Sequence, residues 1–493
     1  MGIRLEGRTT ACGCMVDPWS QGYTGTPWAK CARRTFQMLD FLRDELQFLL
    51  LILVWVGVAL YGGPLLFVVL PLSVFLMRSK ELWAEMVFGF IIILVLSDME
   101  KDVFSGMRVI KSAKNTYLLS LATILIIDQK KFFPSSGIFT IFLPFFAYSF
   151  FPILFSNNIF VSIQKTLSYS LMYLLIPNYI LYNFRVNGIY FIKNLVWFLT
   201  TILFIGLALF YGNESGYVGG RFRGLFGNPN ALGIFSFLVM IIATTVNINH
   251  RSLFTIGQKI LIYAVILLCI VLSGSRTSLV ATAIFLVFQR FFSRSPFLGF
   301  IALIAAIGIG EAVSSNIEAI VSALGLEEYL RVETLEGGSG RYFAWQFAWG
   351  HIQDYFVFGG GFANDEHIFA KWRLYLEMMG HQGGAHSTYL SMWLNVGIVG
   401  LLIFLRSLFL VFIKAAKIAP VSLAILFSVL FSITYESWLV GSLNPFTILL
   451  IIIMTLVTEP EIVNWQEPAA AEDAPGPEHA DGDMPPQPYG ATN

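Results

Sequence analysis

The stretch RFRGLFGNPNALGIFSFLVMIIATTVNI, residues 221–248, places a charged loop directly before a long run of apolar residues. An α-helix rises about 1.5 Å per residue, so residues 229–248 are long enough to cross the roughly 30 Å hydrocarbon core of a bilayer. Asn228 suits the cap of this helix, and Pro229 suits its first position because proline lacks an N–H. The arginines before the cap are therefore predicted to lie at one membrane surface.

The same apolar pattern repeats along most of the chain. The 493 residues are 56% hydrophobic and 13% charged, whereas soluble domains contain about 25% charged residues. Roughly fourteen apolar runs predict an all-α polytopic membrane protein with about 12–14 transmembrane helices. They lie near 46–61, 63–77, 82–98, 113–128, 136–155, 166–182, 190–211, 229–248, 257–274, 276–292, 296–313, 388–412, 419–437 and 443–458. The first two are joined by YGGP, which allows a tight hairpin or one broken element.

The lysines and arginines of the loops predict the orientation. Six short loops each carry two basic residues, and such loops face the cytoplasm. These loops are 78–82, 128–131, 183–193, 249–259, 290–295 and 413–417. Both termini are then cytoplasmic. The basic segment 99–114 opposes this pattern, and we interpret it as an amphipathic helix in the membrane interface.

The predicted spans divide the chain into five parts. Residues 1–45 form a cytoplasmic segment, and residues 46–313 hold the first eleven transmembrane helices. Residues 314–387 form a large outside loop with short helices, and a loop of that length usually has a function. Residues 388–458 hold the last three spans. The Pro/Ala/Gly-rich, acidic segment 459–493 is predicted to be a disordered cytoplasmic tail.

Polar groups from distant segments collect on the predicted outside face. They are Arg221, Arg223, Ser275 and Arg276 of LSGSRTS, Arg341 and Trp345 of SGRYFAW, His386 of AHSTYL, and Glu436 of TYESW. Arginines beside glycine-rich turns and helix N-termini suit a diphosphate, a nearby histidine suits a general base, and aromatic rings stack on sugars. The alternatives are solvated or headgroup-bound arginines, and a glutamate that only pairs with one of them.

Other kinds of site have little support. The histidines of the long loop match no common metal-site spacing, so we expect no metal and no cofactor. A net charge of zero gives no support for a nucleic-acid partner.

The order of the motifs RFRGLFGNPNALG, LSGSRTS, SGRYFAW, FGGGFAND and AHSTYLSMWLNVGIVG resembles the O-antigen ligase and O-antigen polymerase superfamily. The resemblance covers roughly residues 200–460. It implies a bacterial inner-membrane glycosyltransferase with a helical fold of the GT-C kind and a periplasmic active site. Such an enzyme takes a glycan from undecaprenyl diphosphate and uses no nucleotide sugar, and the ligases use no metal.

The resemblance also implies roles for individual residues. His386 matches the histidine of the family and is implied to be the general base. The family commonly has asparagine after that histidine, whereas this chain has Ser387, which slightly favours a polymerase and leaves the ligase open. The arginines implied to hold the diphosphate are Arg221 or Arg223, Arg276 and Arg341.

The implied partners are the undecaprenyl-diphosphate-linked glycan and an acceptor, either a second glycan or lipid A–core. A chain-length regulator is a further candidate. The main alternative is a polysaccharide or lipid transporter or flippase without catalysis, which predicts charges near the membrane midplane and related half-repeats. Arg406 is the only clear charge inside a span. A membrane acyltransferase is a weaker alternative.

Overall fold

A computed structural model describes residues 46–99, 108–292, 341–381 and 383–465, with a few positions between 295 and 304. The described part is helical apart from one hairpin of two-residue strands. The predicted all-α polytopic membrane fold is confirmed. The N-terminal segment 1–45, most of the span predicted at 296–313, the first part of the long loop and the tail from residue 466 lie outside the described residues.

The first two predicted spans form one broken helical segment. Helix α1 (Leu46–Gly57) continues through a π-helical turn (Val58–Gly62) and a 3-10 turn (Gly63–Leu65) into α2 (Leu66–Ser79). The break comes at Gly63, whose φ of +50° is accessible to glycine at little cost. Only 17% of the most apolar window of this segment is buried, which fits a segment that faces lipid.

The remaining helices before the long loop follow the apolar runs. They are α3 (Trp83–Asp98), α4 (Arg108–Ile127), α5 (Ile138–Ser149), α6 (Ile159–Asn187), α7 (Ile189–Phe210), α8 (Pro229–Asn249), α9 (Ile256–Ser273) and α10 (Arg276–Phe292). Strands β1 (Tyr217–Val218) and β2 (Arg221–Phe222) lie between α7 and α8. Helix α4 begins inside the basic 99–114 segment, and Lys114 Nζ donates to the Leu443 carbonyl at 2.6 Å. At least that lysine therefore makes a tertiary contact.

The part of the chain from Arg341 onward adds short loop helices and the last spans. They are α11 (Arg341–Ile352), α12 (Asn364–Lys371), α13 (Arg373–Met378), α14 (Thr388–Ala415), α15 (Val421–Tyr435), α16 (Pro445–Thr458) and α17 (Pro460–Val463). Short 3-10 turns lie at Gln129–Phe132, Pro152–Phe155, Glu214–Gly216, Gln353–Tyr355 and Trp438–Val440. Among the described residues, seven helical segments are long and apolar enough to cross a membrane, and α15 and α16 are shorter apolar helices.

Helix α8 lies at the centre of the bundle, with 89% of its most apolar window buried. It packs against α7, α9, α10 and α16, while α14 packs against α5, α11, α15 and α16. Gly233 lets α8 lie close to the turn between α9 and α10, because a Cβ there would lie 2.7 Å from Ser275 Cβ. The first turns of α8 are thereby held against the turn that joins α9 to α10.

The glycines of FGGGFAND dock the long loop onto a break in α14. The break is at Gly397, with φ +66° and ψ 179°. The N–H groups of Gly360 and Gly361 donate to the Leu394 and Asn395 carbonyls at 3.0 and 2.7 Å. A helix interrupted at such a point needs partners for the freed carbonyls, and the loop supplies them. These glycines therefore do more than form a turn, because their N–H groups hold the long loop against α14.

A small apolar core attaches α11, α12 and α13 to α14. Its buried members are Ala344, Ala348, Ile352, Ile368, Phe369, Leu376, Ala385 and Leu394. Ala385 is 1% exposed and directly precedes His386. The core therefore fixes the backbone on which the candidate base is carried.

Candidate active site

The arginine loop is a tight hairpin followed by a capped helix. Gly219 and Gly220 have φ of +56° and +73° and form the two-residue turn between β1 and β2, which suits a turn that needs left-handed backbone. Asn228 Oδ1 accepts from the Ala231 N–H at 2.9 Å, and Pro229 is the first helical residue. The predicted cap and start of α8 are confirmed.

The two arginines of this loop have different surroundings. Arg221 Nε donates to the Ser273 carbonyl at 2.8 Å, and its Nη2 donates to Asn230 Oδ1 at 2.6 Å. Arg223 is 6% exposed, and its Nε and Nη2 both donate to the Ser215 carbonyl at 3.0 and 2.9 Å. Arg223 thus ties the loop to the residues before β1, whereas Arg221 joins α8 to the end of α9.

The turn LSGSRTS connects α9 to α10 beside Arg221. Gly274 ends α9 with φ +54°, and a Cβ there would lie 3.2 Å from Arg221 Nε. Ser275 is buried, and its Oγ caps α10 through the Ser278 N–H at 3.4 Å. Arg276 is the first residue of α10. Ser275 therefore shapes the turn, and Arg276 lies where the positive end of the α10 dipole adds to its charge.

Arg341 links the long loop to this turn. It is the first described residue of α11. Its Nη2 donates to Glu436 Oε1 at 2.7 Å, and its Nη1 donates to Thr277 Oγ1 at 3.4 Å. The guanidinium also lies 5.9 Å from the centroid of the Tyr435 ring.

Glu436 is hydrogen-bonded to residues of three of the other motifs. Its side chain is 8% exposed, and the same Oε1 that accepts from Arg341 also accepts from Asn230 Nδ2 at 3.2 Å. Its backbone carbonyl accepts from Thr388 Oγ1 at 2.8 Å. Because Asn230 also binds Arg221, one continuous set of hydrogen bonds joins Arg221, Asn230, Glu436 and Arg341.

His386 lies at the edge of this set of bonds. Its Nδ1 is 4.0 Å from Glu436 Oε2, and its side chain is 31% exposed. Its φ of +46° is unusual for a residue other than glycine, and Ser387 then takes the N-cap position of α14 in extended backbone, without a side-chain cap hydrogen bond. On its other side, a Cβ on Gly383 would lie 3.0 Å from His386 Nε2. One ring nitrogen thus faces the carboxylate and the other faces the glycine loop.

A cavity of about 430 Å³ opens on the Gly383 side of the histidine. Its polar lining comes from Glu366, Arg373, Glu377 and His381. The ring of His381 meets that of His386 edge-on at 5.5 Å, and its Nε2 lies 3.1 Å from the Gly384 carbonyl. Burial lowers the pKa of His381, and the two lining carboxylates form ion pairs, Glu377 with Arg373 and Glu366 with Lys165.

Trp345 lies one turn after Arg341 on α11. Its ring lies 5.9 Å from that of Tyr435, so it is packed beside the Arg341–Glu436 pair. Its Nε1 has no hydrogen-bond partner among the described residues. Within those residues, no group of three His, Cys, Asp or Glu side chains is arranged to hold a metal ion.

The residues that connect the charged groups are not among those predicted from the sequence. Asn230 bridges Arg221 to Glu436, Thr277 binds Arg341, and Thr388 binds the Glu436 backbone. The one available signal was the second asparagine of NPN. Asn228 caps the helix, whereas Asn230 has no local role that would explain a polar residue at the start of an apolar span.

Comparison with known proteins agrees with the motifs. Residues 260–405 match the family model described as O-antigen ligase. That range includes the LSGSRTS turn, Arg341, the glycine-rich loop and His386. No curated protein matches the chain. Residues 260–405 are therefore similar to the O-antigen ligase family, which confirms the superfamily resemblance inferred from the sequence.

Proposed function

We propose that this protein is a membrane glycosyltransferase that transfers or polymerises an undecaprenyl-diphosphate-linked glycan at the periplasmic face. The observation that carries the proposal is the convergence of Arg221, Arg341, His386 and Glu436 from four separate segments. The family match supports an O-antigen ligase or polymerase type of membrane function. A lipid-linked glycan and an acceptor are the substrates that this class of function requires.

The arginines form the donor side of the proposed site. Arg221, Arg276 and Arg341 together with Glu436 have a formal charge of +2, which balances the two negative charges of a diphosphate diester. Guanidinium groups bind phosphate oxygens through paired N–H donors. Charge grows on the diphosphate as its bond to the sugar breaks, so arginine contacts that strengthen at that moment lower the barrier. Arg223 is assigned to holding the loop rather than to phosphate.

His386 is the proposed general base. An acceptor hydroxyl oxygen forms a bond to the anomeric carbon while the bond from that carbon to the diphosphate oxygen breaks. The hydroxyl proton moves to His386 Nε2, and the electron pair of the broken bond leaves with the diphosphate. This direct displacement inverts the anomeric centre. Glu436 lies against Nδ1 and stabilises the imidazolium that forms, which is a positioning role.

Donor binding and base activation are coupled in this scheme through Arg341. In the free protein Arg341 pairs with Glu436 at 2.7 Å, while His386 is 4.0 Å from the other oxygen of the same carboxylate. A diphosphate that draws Arg341 toward itself leaves more of the carboxylate charge for His386. The base is then strongest when the donor is bound.

The cavity beside Gly383 is the proposed acceptor side. Gly383 lines this cavity and lies beside His386 Nε2, the nitrogen that takes the proton, and the carboxylates of Glu366 and Glu377 accept hydrogen bonds from sugar hydroxyls. Ring stacking by Trp345 is assigned to the donor side, because the tryptophan lies next to Tyr435 and Arg341.

The test is complementation of a strain that lacks this gene. His386→Ala or Arg276→Ala protein, at a level equal to wild type, is expected to make no polymer or capped lipopolysaccharide. Lys414→Ala, a loss of positive charge at the opposite end of α14, is the matched control and is expected to be active. Normal product from the His386→Ala strain would remove the catalytic proposal and favour a transporter.

The same strain separates the two activities. Single repeats on lipid A–core indicate a lost polymerase, and free carrier-linked polymer indicates a lost ligase. Loss of a transporter would instead leave carrier-linked repeats unprocessed on the cytoplasmic side.

A further inference from the structure

A second cavity lies at the other end of the helices that carry the arginine cluster. It has a volume of about 570 Å³ and is formed by the start of α7, the end of α8, the loop 250–253 and Trp465. Helix α8 has 21 residues, so its two ends are roughly 30 Å apart. The cavity is therefore at the opposite membrane surface from Arg221 and is separate from the proposed active site.

Two basic side chains line this cavity. Lys193 is in the second turn of α7, and Arg251 lies in the loop after α8. Neither makes an ion pair with any described carboxylate. Lys259 Nζ donates to the Arg251 carbonyl at 2.8 Å and so fixes the loop. The cavity thus holds positive charge that the described part of the protein does not neutralise.

His250 adds a buried polar group to the lining. It is 7% exposed, and its Nε2 has no hydrogen-bond partner among the described residues. Burial lowers its pKa, and a backbone hydrogen bond from the ring to Ile462 opposes this only in part. A neutral ring that donates from Nδ1 keeps a lone pair on Nε2. The site therefore combines cations with an acceptor for a hydroxyl hydrogen.

The rim of the cavity has the character of a membrane interface. Tyr190 is 68% exposed, and Trp465 meets the ring of His250 edge-on at 6.0 Å. Ile189, Ile248 and Leu253 add apolar surface to the lining, and Asn249 and Ser252 add polar groups. Tyrosine and tryptophan concentrate at the headgroup level of bilayers, and apolar side chains beside them suit the start of an acyl chain.

We propose that this cavity binds the headgroup of an anionic phospholipid of the leaflet opposite the active site. Lys193 and Arg251 bind the phosphate, and His250 Nε2 accepts a hydrogen bond from a headgroup hydroxyl. Basic pockets between transmembrane helices bind anionic headgroups in this way. The apolar rim favours a lipid over free phosphate. The proposal does not depend on the glycosyltransferase reaction.

The experiment measures lipid retention by the full-length protein. Protein from detergent is mixed with phosphatidylglycerol or phosphatidylcholine and examined by native mass spectrometry, with inorganic phosphate as a competitor. We expect selective retention of one phosphatidylglycerol that phosphate does not displace. The Lys193→Gln/Arg251→Gln variant is expected to bind it about twenty-five-fold more weakly, since each basic residue near an anionic lipid contributes roughly fivefold.

Two variants keep the result interpretable. Lys414→Gln/Lys417→Gln removes two charges at the same end of the bundle and is expected to retain the lipid. Arg251→Lys keeps the charge and is expected to bind within a few-fold of wild type. Equal retention of both lipids, displacement by inorganic phosphate, or equal binding by the Lys193/Arg251 variant would overturn the proposal. So would a carbodiimide crosslink from Lys193 to the acidic residues after 465 in place of bound lipid.

Discussion

Glu436→Gln is the substitution that isolates the charge at the centre of the candidate site. Glutamine has nearly the same shape, and its Oε1 still accepts from Arg341 and Asn230, so the hydrogen bonds at 2.7 and 3.2 Å are retained. The loss of stability should be about 1 kcal/mol, the difference between a charged and a neutral hydrogen bond. What the variant loses is the negative charge facing His386.

The effect on rate follows from the 4.0 Å between His386 Nδ1 and Glu436 Oε2. At that distance two unit charges interact by roughly 4 kcal/mol at an effective dielectric constant of about 20. The His386 side chain is 31% exposed, and screening by solvent at this exposure reduces the interaction energy to about 2 kcal/mol. At about 1.4 kcal/mol per tenfold, the rate of glycan transfer should fall between about thirtyfold and about a thousandfold.

The assay is glycan transfer by purified protein at saturating donor and acceptor, with thermal unfolding as the check on folding. The matched control is Glu461→Gln, which removes the carboxylate paired with Arg185 at 2.9 Å away from the site. That variant should transfer glycan at the wild-type rate. A Glu436→Gln rate within threefold of wild type would refute the role given to the carboxylate.

Three further substitutions test how the site is built. Arg223→Ala should lower the melting temperature and the protein level, because the Arg223 guanidinium donates to two backbone carbonyls. Arg221→Ala should leave a stable but inactive protein. The reverse pattern would contradict the roles given to the two arginines. Gly359→Ala should destabilise by roughly 2–4 kcal/mol, since its φ is +78° and a Cβ would lie 2.4 Å from backbone. Gly350→Ala, inside α11 and with open space around it, should leave thermal stability unchanged or raise it by up to about 1 kcal/mol. The hydrogen bond from Arg78 lowers the pKa of Asp128. The stabilisation from this pair is therefore present above about pH 4 and is lost as the pH falls further. In Asp128→Asn, the free energy of unfolding should depend less on pH between pH 5 and pH 2.

Most of the helices could be predicted from hydropathy, because a helix that crosses a bilayer needs about 20 apolar residues whatever its neighbours. Caps were also predictable, since the preference of Asn228 and Pro229 is local. The conformation at Gly63 could not be predicted, because a turn of glycine and proline fits a hairpin and a broken helix equally well.

The members of the candidate site could be proposed from the sequence, whereas the contacts that connect them could not. Arginines, a histidine and a glutamate on one face were apparent from loop positions alone. The position of Glu436 between Arg341 and Asn230 depends on how three distant helices pack, and no local pattern encodes that. The docking of the glycine loop on Gly397 was missed for the same reason. The contact joins segments that lie far apart in the sequence.

The most direct test of the central claim is transfer by the purified full-length protein in nanodiscs. The substrate is an undecaprenyl-diphosphate-linked repeat, and the measured quantities are free undecaprenyl diphosphate and the anomeric configuration of the new linkage. We predict that wild type releases one carrier per bond formed, with inversion, and that His386→Ala releases none. Equal release by His386→Ala, or a product with the original configuration, would contradict the account.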